Sequence, residues 1–225
     1  MRSRLPLLLL TLCLASPALA TGVDLAWDNC PGEPSAASLK TFACDVNSGH
    51  ETLWIAFESA VPATNMGRIE VAIQFQTRRG NPLPVWWDFE DFASCRRAAF
   101  GVDTAPPTAT TVCATISSSG DPPKFVVDRI DYQLPTVDAG RMVVVTGSTL
   151  PLVANQRYLA CRFLLLHAKT SDCVGCSEPV SITVTGIHVA NQIITGPITQ
   201  NLALWQSSPT ATRASSWGAL KRLYH

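Results

Sequence analysis

Residues 68–77, RIEVAIQFQT, put Ile69, Val71, Ile73 and Phe75 on one side of an extended chain and Arg68, Glu70, Gln74 and Gln76 on the other. A two-residue period of this kind belongs to a strand with one face in a core and one in water. Such a strand needs a second layer to cover its apolar side. Similar alternation marks VDLAW at 23–27 and TLWIAF at 52–57, whereas RMVVV at 141–145 and YLACRFLLL at 158–166 are more continuously apolar. Periodicity alone also permits a helix for the last of these, and its β-like neighbours assign it to a strand. In SITVTGIHVA at 181–190 the apolar phase runs through Ile182 and Val184, then slips by one to Ile187 and Val189. One extra residue at a glycine predicts a β-bulge at Gly186, with His188 pointing outward. Punctuating runs such as NPLP at 81, APPT at 105, SSSGDPP at 117 and GSTLP at 147 leave room for turns rather than long helices. The expectation is an all-β antiparallel sandwich of eight to ten strands.

The first 20 residues, MRSRLPLLLLTLCLASPALA, carry Arg2 and Arg4 before an apolar run and end in a small-x-small site, the pattern of a secretory signal peptide. The apolar run is shorter than the roughly 20 residues that span a bilayer, and Leu12 stands where a lipoprotein signal has a small residue before its cysteine, here Cys13. The expected organisation is therefore a signal peptide over 1–20, a β-sandwich over 21–206, and a linker with a short helix over 207–225. Without Arg2 and Arg4, 15 basic residues face 17 acidic ones. The pairs Arg78–Arg79 and Arg96–Arg97 are isolated, which argues against nucleic acid as a partner.

Seven cysteines follow residue 20. In an oxidising compartment disulfides are the default, and an odd cysteine is left over. Proximity along the chain favours Cys30 with Cys44, Cys95 with Cys113, and Cys173 with Cys176 across a turn at Gly175, leaving Cys161 as a buried thiol. Pairing of Cys161 with Cys173 or Cys176 is the main alternative. Cys161, His167, Cys173 and Cys176 also have ligand types suited to zinc, although one short C-x-x-C knuckle on an exported chain argues against it, and no metal or other cofactor is expected.

The stretch PVWWDFEDF at 84–92 concentrates two adjacent tryptophans among three acids. On a strand, Val85, Trp87 and Phe89 would face the core, and Trp86, Asp88 and Glu90 would face out. An indole beside two carboxylates is the chemistry of a sugar platform, with the ring against a pyranose face and the carboxylates accepting hydroxyl hydrogen bonds. The same pattern fits a Trp86 covered by a loop, with the acids keeping an edge soluble. The series IEVAIQFQ, LPVWWDF, RMVVVTG and RYLACRFLLLHAK resembles the cohesin and carbohydrate-binding-module type of secreted bacterial sandwich. The ending WGALKRLY at 217–224 is similar to that of secreted bacterial proteins closing on W-G-x-L-K-x-L-Y. The resemblance implies a non-catalytic extracellular module with a polysaccharide or a cell-surface protein as its partner. Carbohydrate is the leading ligand class, and a structural or protein-interaction scaffold is the alternative.

Glycoside hydrolysis by Asp88 and Glu90 is a further alternative, but it requires an acid whose pKa burial has raised. No G-x-S-x-G elbow accompanies His50, His167, His188 or His225, and Asp128, Asp131 and Asp138 do not form a calcium loop. Behind the small polar run 206–216, Trp217, Leu220 and Tyr224 recur at helical spacing as a candidate docking element. A helix that short gains its stability from whatever it packs on.

Overall fold

The alternating segment forms the longest strand, β4 (Gly67–Thr77), with Ile69, Val71, Ile73 and Phe75 fully buried. The computed structural model describes residues 21–77, 81–89, 94–103, 112–116, 129–136 and 139–206. Among these lie twelve strands, somewhat more than the sequence suggests because several are two- or three-residue pairings. They are β1 (Gly22–Trp27), β2 (Leu39–Lys40), β3 (His50–Glu58), β4, β5 (Phe100–Asp103), β6 (Ala114–Thr115), β7 (Arg129–Thr136), β8 (Ala139–Ser148), β9 (Arg157–Leu166), β10 (Val180–Val189), β11 (Gln192–Ile194) and β12 (Ala203–Trp205). The signal-peptide segment and the element carrying Trp217, Leu220 and Tyr224 lie outside the described residues.

The strands make two sheets. One runs β1-β3-β9-β5, with β6 also on β9; the other runs β2-β12-β10-β4-β8-β7, with β11 on β10. Pairing is antiparallel except for β6 with β9 and β12 with β2. Their inner faces share one core: Val23, Leu25 and Trp27 of β1, Leu53, Ile55 and Phe57 of β3, and Phe163 and Leu165 of β9 meet β4, Met142 and Val144 of β8, and the apolar row of β10. This is the sandwich the two-residue period demands. In β10 the register against β4 shifts between Val184 and Gly186, so Ile182, Val184, Ile187 and Val189 all reach the core and His188 stays exposed. The bulge read from the phase slip is therefore present.

The first sheet is buried on both faces. A second, smaller core of Trp54, Ala56 and Leu159 lies on its outer side beneath Cys30 and Cys113, where residues 28–37 fold back and Trp27 exchanges hydrogen bonds with Ala37. This explains the continuous apolar character of β9, which periodicity alone leaves ambiguous. Cys161 is the free cysteine among the described residues, buried on β9, and burial pushes its thiol up to about 12. A raised folded pKa means the neutral thiol costs the fold nothing below the unfolded value near 9, and stability falls as pH rises from there through 12. Iodoacetamide at pH 8 is therefore expected to leave Cys161 unlabelled in the folded protein and to label it in guanidinium, as read by intact mass. Labelling at equal rates in both states would contradict the burial.

Candidate functional site

Residues 84–89 are not a strand. Pro84 precedes a single 3-10 turn, Val85–Trp87, closed by Trp87 N–H donating to Pro84 O at 2.9 Å and Asp88 N–H to Val85 O at 3.0 Å. Successive side chains on such a turn are about 120° apart rather than opposed, so both indoles enter the core at 0% exposure and Val85 is the residue left outside, 49% exposed. The expected assignment is reversed at Val85 and Trp86. The signal lay in Pro82 and Pro84, which cannot donate to a sheet ladder and exclude a central strand. Asp88 is half-buried, its carbonyl accepting Ser94 Oγ at 2.5 Å; Glu90 lies outside the described residues. The open indole that a sugar platform requires is sealed inside.

Trp86 sits in an array of rings. It stacks on Trp205 with centroids 4.9 Å apart, meets Trp87 edge-on at 5.0 Å, and lies 6.3 Å from Phe42; Trp205 in turn touches Trp27 at 5.7 Å. The Arg96 guanidinium lies 4.1 Å from the Trp86 ring centre, an arrangement in which the cation is attracted to the ring face. Arg96 is fully buried and its cation is held by oxygens of the backbone and one hydroxyl: Nε donates to Trp86 O at 3.3 Å, Nη1 to Ala168 O at 2.6 Å and Thr170 Oγ1 at 3.1 Å, and Nη2 to Leu166 O at 2.7 Å. Burial lowers its pKa to about 10, which leaves it charged at neutral pH. Sequence reasoning treated Arg96 only as half of a basic pair; nothing in a single sequence marks a buried arginine.

Two disulfides, those of Cys44 and Cys95, close this end of the sandwich, and the third, that of Cys30, lies over the outer core of the first sheet. The bonds are Cys30–Cys113, Cys44–Cys176 and Cys95–Cys173, across 83, 132 and 78 residues. The six bonded cysteines and the free Cys161 are those expected, but all three pairings between sequence neighbours are corrected. Antiparallel strands return distant loops to the same end, so the partner in space is remote in the chain. Cys173 and Cys176 flank the expected turn at Gly175 (φ +98°), yet each bonds to another loop, which also removes them as metal ligands. A Cβ at position 175 would lie 2.3 Å from Pro84 Cβ, so the Gly175 turn is seated directly on the 3-10 turn.

Residues 41–49, 84–89, 94–99 and 167–179 are thus clamped together. Asn47 and Ser171 exchange hydrogen bonds of 2.5 and 2.9 Å, and His167 stacks on Phe42 at 4.1 Å. His167 has both ring nitrogens engaged, Nδ1 with Ser48 O at 2.8 Å and Nε2 with Glu51 Oε1 at 3.1 Å, so it serves as a strut rather than a ligand or base. Lys40 Nζ bridges Glu51 and Asp28, each at 2.6 Å. Burial works to lower the Lys40 ammonium, but the hydrogen bonds and charges of Asp28 and Glu51 outweigh it and raise the pKa above 10.5. On the outside of this rigid end stand three apolar side chains: Val174, 78% exposed, Val85, and Val46 at 37%.

The sequence matches no protein-family model, and no curated protein or solved structure matches it significantly. The loop end must therefore be interpreted from its own chemistry. It offers apolar side chains on loops joined by two disulfides. No helix among the described residues is long and apolar enough to cross a membrane.

Proposed function

We propose that this chain is an exported, non-catalytic interaction module that binds a protein partner of the cell envelope or extracellular space through the disulfide-clamped loop end. One observation carries the reading: Val46, Val85 and Val174 are exposed on loops held in place by two disulfides and by Arg96. Apolar side chains displayed on ordered loops gain binding energy without losing chain entropy at the moment of contact. The disulfides fit an oxidising compartment. A sugar ligand at Trp86 is set aside because that ring is consumed in packing.

Photo-cross-linking in the native host tests this. A benzophenone side chain at position 174 or 85 is expected to trap a discrete protein adduct, while the same group at exposed His188, away from the loop end, traps none. No adduct at either loop position, or equal capture at position 188, would overturn the proposal.

A further inference from the structure

At the opposite end of the sandwich, a cleft of about 570 Å³ opens between the end of β3, the start of β9 and the strap carrying Cys113. Its walls are Glu58, Asn155, Gln156 and Arg157 on one side and Val112, Cys113 and Ala114 on the other. A volume of this order suits a small ligand. The charges in the cleft are unevenly matched. Arg157 is drawn inward: Nη1 donates to Pro31 O at 2.8 Å, and Nη2 lies 3.3 Å from Asp24 Oδ2. Asp24 is fully buried and is further satisfied by Thr199 N–H, Thr199 Oγ1 and Gln200 N–H, each at 2.7 Å. Glu58 is left with Arg157 Nε at 3.9 Å, beyond hydrogen-bonding distance, although its side chain is only 13% exposed.

A carboxylate on a cleft wall with no protein donor within hydrogen-bonding distance among the described residues supplies binding energy to a cationic donor that completes it. We propose that this cleft binds a small primary ammonium compound. The ammonium donates to the Glu58 carboxylate and to the Asn155 side-chain carbonyl, and its carbon chain lies along Val112 and Ala114. A compact three-donor cation matches one carboxylate and neighbouring amide oxygens. A neutral polyol would leave Glu58 with only the guanidinium of Arg157 at 3.9 Å as a cationic neighbour. The site lies away from the clamped loops, so the proposal is independent of the protein partner.

Titration with putrescine, followed by NMR of the ¹⁵N-labelled protein, tests it. Saturable shifts of the Asn155 and Gln156 side-chain amides are expected in the wild type, with binding weakened about tenfold or more in Glu58→Gln and unchanged in Glu70→Gln, a surface acid paired with Arg68. The neutral analogue 1,4-butanediol is expected to cause no such shifts, which tests the charge requirement without any substitution. No saturable shift with putrescine would overturn the proposal. So would equal affinity in a folded Glu58→Gln protein, or the same response to the diol or to glucose.

Discussion

Replacing Arg96 with methionine is expected to destabilise the protein by on the order of 3 kcal/mol, more than any conservative change at the exposed valines. Methionine retains much of the packing against Trp86, so the loss falls mainly on the oxygens that the guanidinium holds. Trp86 O, Leu166 O and Ala168 O each lose their donor from Arg96, at about 1–3 kcal/mol for each group that stays away from water. Part of that cost is relieved because the latter two carbonyls are only partly buried. Lysine is expected to rescue little, since one ammonium cannot span oxygens arranged for a planar fork. A shift in the urea midpoint at constant slope measures the effect. A loss below about 1 kcal/mol would mean that water replaces the guanidinium, and that Arg96 does not organise the loop end.

Reduction of the disulfides is expected to have a larger effect. Each bond closes a loop of 78 to 132 residues, and a native disulfide of this kind contributes about 2–5 kcal/mol. Three of them together are comparable to the 5–15 kcal/mol that holds a typical domain folded. Dithiothreitol is therefore expected to unfold the protein at 37 °C. Because Trp27, Trp86, Trp87 and Trp205 are all fully buried, unfolding should shift the emission to the red. Native emission persisting after mass spectrometry confirms six reduced thiols would show that the core alone suffices.

How much of this was legible depends on how local each feature is. The strand at 68–77 and the bulge at Gly186 were readable because the side-chain period is written in consecutive residues. The outward His188 followed from the same period, and the buried thiol of Cys161 from its being the cysteine left over after pairing. At 85–87 the aromatic alternation imitates a strand although Pro82 and Pro84 oppose one, and only three-dimensional packing shows that both indoles share one core. The outer core over Trp54 and the carbonyl cage of Arg96 depend on residues 28–37 and 166–170 arriving from elsewhere in the chain, which no window around Trp54 or Arg96 contains. The cleft at Glu58 was invisible for the same reason: its strap and strand ends meet only in the folded chain.

The reach of the disulfides has a consequence for biogenesis. In a chain threaded into an oxidising compartment amino end first, the thiols of Cys30 and Cys44 emerge together, before Cys113 and Cys176, to which they finally bond. Contact between near neighbours is fast while disulfide formation takes seconds to hours, so a Cys30–Cys44 bond competes with the native ones whenever oxidation outpaces the arrival of the later cysteines. Such a bond is released by thiolate attack, and a disulfide isomerase is then expected to speed recovery of the native pairing.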